Sequence, residues 1–452
     1  MNASDLDALL PELEAFHERF AGFFCRTEGR AWGKKYLTGL VMPIERKNIE
    51  NVAERVGALA RKLQEFLSDS PWDDEGCLEE LRRFVGERLG DHDGVLIVDD
   101  TGFAKKGTSS AGVGRQYSGT LGRTDNCQIG VFLGYASQSG HTLVDRRLYL
   151  TEPWFTDPSR QRSRAALPPD LTFQTKHQLA LAMLQSAHTA GDLPYQGVTA
   201  DAAYGDSHDF RQAVTELGKW YCFEVSSNTQ VWQSDPKWEV GSLASTRGRP
   251  PSQPHPTKAS PEAIGVAELA ATLPKRKWKR HRVTEGAKGP REYEFARVRV
   301  TEKRHHAPGP PAWMMARRPV GGSAKDAKYY LSNAPQTVAL AQLAYVGCLR
   351  WTIEENFELA KGEVGLDHYE VTKLRGWYHH MTMSLMALAF LKSVQRSWSK
   401  KTADGERSRD PSTPGSSPAP AGMERHRRTR MAPRSAAPQA RRLPQSPAAL
   451  AA

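Results

Sequence analysis

The spacing of hydrophobic residues changes several times along this chain, and each change predicts a different kind of element. Residues 1–90 carry apolar side chains three or four positions apart, as in the stripe from Leu6 to Phe20, which predicts several short helices. Short helices with exposed lysine and arginine side chains fit a DNA-binding domain, and they fit equally well a helical cap on the domain that follows.

The apolar run Val95–Val98 predicts a buried strand that ends in two adjacent carboxylates, Asp99 and Asp100. Further strands are predicted at Gln128–Tyr135 and Thr142–Leu150, which gives a three-stranded meander. An ionised carboxylate at the end of a buried strand is costly unless a cation compensates it. The pair therefore predicts a polar site, and strand alternation allows only one of the two side chains to face that site directly.

A second short strand, Gly197–Ala200, also ends in a carboxylate, Asp201, after a predicted helix at Lys176–Gly191. Residues 91–226 are therefore predicted to form the first part of an α/β core. The long loop after the first strand is rich in glycine and positive charge. Side chains that suit a phosphate backbone are present there at Lys105, Lys106 and Arg115.

Residues 227–335 change character, since proline, serine and basic residues give way to alternating strands such as Glu292–Val300. This pattern predicts a mostly β insertion with a flexible basic start. The basic run Lys275–Arg282 contains Trp278, which suits a DNA backbone with stacking or, equally, a solvated charged face.

Helical periodicity returns in residues 336–398, where a stripe predicts one helix over Thr337–Lys361 that carries Glu354. A last apolar helix is predicted at Leu374–Val394. Residues 399–452 are rich in proline, serine, alanine and arginine without periodicity, and are predicted to be a disordered basic tail.

Composition changes this picture only in part. The formal net charge is +11, but the chain from Lys400 onward holds 11 basic and 4 acidic residues, so the body is only mildly basic and hints at a polyanionic partner. The five cysteines are far apart, which argues against zinc fingers and disulfides and suits a reducing cytoplasm. The longest apolar-rich stretch, Met381–Leu391, is too short to span a bilayer, so no membrane partner is expected.

Carboxylates thus end two predicted strands and recur on a later helix, at Glu354. The order of a meander, a helix, a strand and later helices predicts an RNase H-like α/β core. Oxygen ligands of this kind suit Mg²⁺, and paired divalent ions promote phosphodiester cleavage.

Several segments resemble the DDE transposases of bacterial insertion sequences, namely Asp99–Gly102, Asp145–Trp154, Ala200–Gly205 and Arg350–Lys361. Arg350, Glu354 and Lys361 have the spacing of that superfamily's Tyr-Arg-Glu-Lys signature. Gly347 occupies the place of the signature tyrosine, and Tyr345 does not fit the spacing.

The resemblance implies an RNase H-like catalytic core interrupted by a β insertion, with catalytic residues at Asp99, Asp100, Asp201 and Glu354. It implies that Asp99, Asp201 and Glu354 bind Mg²⁺, for which Mn²⁺ can substitute. Asp100 is then either a supporting neighbour of Asp99 or the true ligand. DNA contacts are expected from Arg350 and Lys361, in addition to the loop residues.

The implied function is that of a transposase that binds terminal inverted repeats, cleaves the element ends and joins the 3′-OH ends to target DNA. Double-stranded DNA is the expected partner, with a homodimer on DNA in the bacterial cytoplasm near the nucleoid. The alternative is a catalytically inactive or domesticated DNA-binding protein derived from a transposase. A structure-selective nuclease on the same fold is a third hypothesis, and the β insertion and the helix with the signature spacing argue against it.

Overall fold

Helices and two sheets make up the described part of the chain, which comprises residues 3–157, 167–239, 254–286, 289–304, 308–322 and 326–407 of the computed structural model. Met1–Lys401 form one unit and Thr402–Ala452 a second. The predicted flexible start of the insertion lies partly outside the described residues, at 240–253, and so does the predicted tail from residue 408.

The N-terminal residues fold into helices whose apolar stripes face one another. In chain order they are α1 (Ala3–Glu18), α2 (Thr27–Val41), α3 (Ile49–Arg55), α4 (Ala60–Ser68) and α5 (Asp74–Leu89). Phe20, Leu37, Leu63 and Leu78 are fully buried between them. Helices therefore occupy the stretch in which the apolar spacing predicts them.

The first sheet carries Asp99 and Asp100 in the middle of its first strand, so the prediction that this strand ends at the two carboxylates is wrong. Its strands are β1 (Val95–Ala104), β2 (Gly114–Ser118), β3 (Arg123–Ser137), β4 (Gly140–Tyr149), β5 (Gly197–Ala200) and β6 (Trp220–Tyr221). The order β4-β3-β1-β5-β6 joins an antiparallel half, β1 with β3 and β3 with β4, to a parallel half, β1 with β5 and β5 with β6. β2 pairs with the first residues of β3, so part of the predicted glycine-rich loop is a strand that carries Arg115.

Helices connect the strands of this sheet. They are α6 (Pro153–Thr156), α7 (Lys176–Ala190), α8 (Ala202–Gly205) and α9 (His208–Glu216). A capping box formed by Thr175 and Gln178 starts α7. At the end of α8, a Cβ on Gly205 would lie 1.8 Å from the backbone oxygen of Glu224, so only glycine fits this close approach.

The second sheet is antiparallel and follows the first in the chain. Its elements are β7 (Phe223–Val225), β8 (Gln230–Trp232), β9 (Trp238–Glu239), β10 (His255–Pro256), β11 (Ile264–Gly265), α10 (Val266–Thr272), β12 (Lys279–Gly286), β13 (Gly289–Lys303), β14 (Pro308–Pro319) and β15 (Lys328–Ser332). The order is β11-β8-β13-β14-β15-β7, with β12 paired to β13 and with β9 and β10 as a separate pair. Half of the predicted basic run is therefore strand β12.

A buried ion pair links the two sheets. Arg211 of α9 donates to Glu302 of β13 at 3.0 Å, and both side chains are 1% exposed. The hydroxyl of Tyr221 in β6 donates to the same carboxylate at 2.8 Å. The second sheet is thus held to the first by a fully satisfied buried carboxylate.

The C-terminal helices are α11 (Leu340–Cys348), α12 (Trp351–Val364) and α13 (Leu374–Arg407). The prediction of one helix over Thr337–Lys361 is wrong, because a turn at Leu349–Arg350 separates α11 from α12. α13 also continues to Arg407, inside the segment predicted to be a tail. In the part of the chain that the structure describes, no helix is long and apolar enough to cross a membrane.

Asp145 and Arg146, at the start of the Asp145–Trp154 segment, connect the first sheet to helix α5 through ion pairs. Asp145 is fully buried on β4 and accepts hydrogen bonds from Arg82 of α5 at 3.2 Å and from Arg147 at 2.9 Å. Arg146 is also fully buried and pairs with Asp74 at the start of α5.

Two adjacent buried histidines of α13 predict a loss of stability in acid. His379 Nδ1 lies 2.8 Å from the carbonyl oxygen of Leu67, and His380 Nδ1 lies 2.8 Å from the hydroxyl of Tyr36. Burial lowers the pKa of each histidine to about 3, below the usual value of about 6.5. Their contribution to stability is therefore complete above pH 6.5 and is lost as the pH falls from 6.5 towards 3.

At pH 5 we expect these two histidines to destabilise the fold by about 2 kcal/mol each relative to pH 7.5. Thermal unfolding followed by circular dichroism at both pH values measures the change. Replacing His380 with Gln should remove about half of this pH dependence, because His379 keeps its own contribution. An unchanged pH dependence in His380→Gln would contradict this assignment.

Candidate functional site

The pairing of β1 with β5 brings two carboxylates to neighbouring strand positions. The register matches Val98 with Ala200, so Asp99 and Asp201 are the next residues along the two parallel strands. Asp201 also caps α8, because its Oδ1 accepts from the backbone N–H of Ala203 at 3.1 Å. The strand end and the helix start together fix the position of this carboxylate.

The guanidinium of Arg350 lies among three carboxylates. Its Nη1 donates to Asp99 Oδ2 at 3.2 Å, and its Nη2 lies 2.6 Å from Glu354 Oε1. Its Nε is 3.8 Å from Glu224 Oε2. Arg350 thus joins the middle of β1 to helix α12 and to strand β7.

The break before α12 explains how Arg350 reaches this position. Arg350 immediately precedes the helix with helical dihedrals, and Glu354 follows one turn later on the same face. The carbonyl of Leu349 accepts both the backbone N–H of Thr352 at 2.9 Å and its hydroxyl at 2.7 Å. The carbonyl of Leu349 therefore bonds the residue three positions later instead of four, at the point where α11 has ended and α12 has not yet begun.

Asp100 has different partners from Asp99. Its Oδ2 accepts from Lys176 Nζ, at the start of α7, at 3.0 Å. The buried hydroxyl of Tyr204 donates to the same oxygen at 3.4 Å. Each aspartate of the pair is therefore neutralised by its own cation.

Burial and like charge make Asp99 hard to ionise. Burial raises the pKa of Asp99 to about 7, the negative charge of Asp201 adds to the increase, and Arg350 opposes it. Burial also raises the pKa of Asp201, again against the positive charge of Arg350. Two neighbouring carboxylates in a partly dehydrated site require positive charge beside them.

Lys361 lies on α12, two turns after Glu354. Its Nζ donates to the hydroxyl of Thr101 at 2.8 Å and is 5.4 Å from the ring centre of Phe103. Thr101 in turn contacts Thr120, in the turn between β2 and β3, at 3.0 Å between the two hydroxyls. Lys361 therefore stands beside β1 two residues beyond Asp99.

The loop lysines have other surroundings. Lys105 Nζ donates to the carbonyl of Tyr369 at 3.1 Å and lies 3.5 Å above its ring, and burial lowers its pKa to about 8. Lys105, Lys106 and Tyr369 line one cleft, and Lys106 is exposed there. Arg115 is exposed on β2. Of the predicted DNA-binding residues, Arg350 contacts Asp99 and Glu354 directly. Lys361 contacts Thr101, two residues after Asp99 in β1.

Three residues of this site were not predicted as site residues: Lys176, Tyr204 and Glu224. Tyr204 is part of the Ala200–Gly205 segment, so its proximity to Asp201 was available as a signal. Glu224 and Lys176 lie on elements whose neighbours depend on the sheet order, and nothing in their own spacing marks them.

The structure also locates the residues around the missing signature tyrosine. The hydroxyl of Tyr345 donates to Asp93 at 3.0 Å, two residues before the start of β1. At Gly347 an added Cβ would lie 3.0 Å from the Cys222 sulfur and 3.2 Å from Met315. A large side chain at position 347 would therefore collide with the β core, and neither residue reaches the carboxylates.

Among the described residues, no group of three or more His, Cys, Asp or Glu side chains is arranged to hold a metal ion. The donor types nevertheless fit Mg²⁺, because Asp99, Asp201 and Glu354 supply only carboxylate oxygens. The pair of aspartates also needs a cation. Arg350 supplies that positive charge in this conformation.

Comparison with known proteins identifies the family of this chain. The family described as DDE superfamily endonuclease matches residues 15–290. A protein of Microchaete diplosiphon named "Probable transposase for insertion sequence element IS701" is 30% identical over 205 residues, which are 44% of this chain and 49% of that protein, so the match spans about half of its length. The crystal structure of the NurA nuclease from Sulfolobus solfataricus aligns with 76% of this chain and 98% of its own, at 7% identity and a TM-score of 0.25. By the family match over more than half of its length, this chain belongs to the DDE superfamily endonucleases.

Proposed function

We propose that this chain is a DNA transposase that binds the terminal inverted repeats of its mobile element, cleaves the element ends and transfers the 3′-OH ends to target DNA. The observation that carries the proposal is the meeting of Asp99 and Asp201 on neighbouring parallel strands, with Glu354 joined to Asp99 through Arg350. The similarity to a protein named as an insertion-sequence transposase supports transposition over other nuclease activities.

The catalytic core in this proposal is RNase H-like, and the second sheet is its β insertion. The meander of β1, β3 and β4, followed by α7 and the parallel strand β5, supports the assignment. Helices α1–α5 are proposed as the DNA-binding domain within residues 1–90.

Asp99, Asp201 and Glu354 are the proposed Mg²⁺ ligands. Asp99 is preferred over Asp100 because the register of β1 with β5 places Asp99 next to Asp201. When bound, a pair of divalent ions activates the attacking oxygen and stabilises the leaving oxygen of the phosphodiester.

The remaining work of this site is to position DNA. Arg350 and Lys361 are proposed to bind phosphates beside the carboxylates, and Lys106 and Arg115 to contact the backbone further away. Synapsis of two ends makes a homodimer on DNA the proposed assembly, and the bacterial cytoplasm its location.

A second candidate function, DNA binding without cleavage, is favoured by one observation. In the described residues the carboxylates are paired with arginine and lysine and form no three-ligand metal group. An inactive, domesticated copy needs no more than this.

Cleavage of a supercoiled plasmid that carries the element's own ends decides between the two functions. With Mg²⁺ we expect breaks at the ends, with Mn²⁺ in its place the same products, and with EDTA none. A plasmid with scrambled end sequences is the control and should stay intact. Specific binding of the ends without cutting in either metal would assign the second function and contradict the first.

A further inference from the structure

We propose that Arg350 is a positioning residue that couples metal loading to DNA binding. In the free protein its guanidinium occupies the oxygens of Asp99 and Glu354. When DNA binds, the guanidinium forms hydrogen bonds with a backbone phosphate in place of the two carboxylates, which can then bind a divalent cation. This inference rests on the proposed function and adds to it the order in which the site is assembled.

The contacts of Arg350 make it a direct competitor of a cation. It contacts one oxygen of each carboxylate, at 3.2 Å from Asp99 Oδ2 and 2.6 Å from Glu354 Oε1. A divalent ion held by these residues needs the same lone pairs. The guanidinium and the ion therefore exclude one another at these oxygens.

Arg350 is also placed to reach a phosphate. Its side chain is 22% exposed, whereas that of Glu354 is 58% exposed, so the ion pair opens to solvent at the helix end. Arginine offers a planar fork of donors that matches phosphate oxygens in a bidentate arrangement. A phosphate that approaches this opening offers Arg350 an alternative partner with strong hydrogen bonds.

The neighbouring charges are arranged so that the release of Arg350 leaves two of the carboxylates compensated. Glu224, the third partner of Arg350, has its own ion pair with Lys328. Asp100 keeps Lys176 at 3.0 Å. Loss of Arg350 therefore uncovers Asp99 and Glu354, together with the adjacent Asp201, and it leaves the surrounding carboxylates neutralised.

Because Arg350 competes for the same oxygens, we expect the free protein to bind divalent ions weakly. By thermodynamic linkage, a metal that binds more tightly to the DNA-bound protein must also tighten DNA binding by the same factor. The resulting enzyme acquires its ions mainly at DNA.

The first test measures Mn²⁺ binding to DNA-free protein by the loss of the free-ion electron paramagnetic resonance signal. We expect Arg350→Gln to bind Mn²⁺ about tenfold more tightly than the wild type, since no guanidinium competes. Arg280→Gln is the matched control, because the Arg280 side chain is 60% exposed on β12 and pairs with Glu292, and it should bind as the wild type does. Equal or weaker Mn²⁺ binding by Arg350→Gln would overturn the proposal.

The second test needs no variant and therefore does not depend on how Arg350→Gln folds. Fluorescence anisotropy measures the affinity of wild-type protein for a duplex of the element end, with Mn²⁺ and with EDTA at matched ionic strength. We expect Mn²⁺ to tighten binding by about tenfold in the wild type. No tightening would overturn the coupling.

The two tests also separate this inference from the function on which it rests. If Mn²⁺ binds and supports cleavage but Arg350→Gln gains no affinity, the coupling is wrong and the transposase proposal stands. If Mn²⁺ binds neither protein, with or without DNA, the metal-dependent function itself is wrong and the coupling with it.

Discussion

Replacing Asp201 with Asn is expected to lower the rate of end cleavage by about 10³-fold or more, equivalent to roughly 4 kcal/mol in the activation barrier. The substitution removes the negative charge next to Asp99 and keeps the size of the side chain. An asparagine oxygen can still accept from the backbone N–H of Ala203, so the cap of α8 is retained. The loss should therefore appear in catalysis and leave the fold and DNA binding intact.

The measurement combines a cleavage assay on the element ends with a gel-shift titration of the same duplex. Asp206→Asn is the matched control, because this exposed aspartate lies five positions later and bonds Ser226 and Thr229 at 2.9 and 3.2 Å, away from the carboxylate pair. It should cut at the wild-type rate. Cleavage by Asp201→Asn within tenfold of the wild type would show that the site is assigned wrongly.

Replacing Asp145 with Asn is expected to lower the free energy of unfolding by about 3–5 kcal/mol. The Asp145 side chain is fully buried and that of Arg82 is 3% exposed, so neither charge can turn to water. Asparagine has nearly the same shape, but it leaves Arg82 and Arg147 without the carboxylate that they share. A buried arginine without a counter-ion carries a large desolvation cost.

Urea unfolding followed by tryptophan fluorescence measures this loss. Glu65→Gln provides the comparison, since it removes the ion pairs with Arg61, whose side chain is 86% exposed, and with Lys62, and exposed pairs contribute little to stability. A loss below about 1 kcal/mol for Asp145→Asn would mean that the buried charges find other partners.

The apolar strands that lead into Asp99 and Asp201 were predictable, because each is a short apolar run followed by a carboxylate. The end of the first strand was predicted wrongly, since β1 continues through Asp99 and Asp100 to Ala104, paired with β3 throughout. The mixed α/β class follows from the same patterns and is confirmed. The cations beside the carboxylates were harder to predict. Lys176 reaches Asp100 only because α7 starts beside β1, and that neighbourhood depends on the sheet order.

The break between α11 and α12 had no sequence signal. The apolar stripe from Leu340 to Phe357 runs through it, and neither proline nor glycine stands at Leu349–Arg350. At the break the hydroxyl of Thr352 donates to the Leu349 carbonyl, and a threonine inside a helical pattern is too common to predict such a break. The aim of Arg350 towards Asp99 was therefore not predictable from the spacing of the signature residues.

The ends of the second sheet have a consequence for how this chain can change in length. One residue separates β6 of the first sheet from β7, which is the first strand of the second sheet. The last strand of the second sheet, β15, pairs with β7, with Phe223 opposite Leu331 and Val225 opposite Tyr329. A segment that begins and ends on hydrogen-bonded neighbours closes at one point, and the entropy of closing it grows only slowly with its length. We therefore expect homologous chains to tolerate insertions and deletions between these two strands without disturbing the strands that hold the carboxylates.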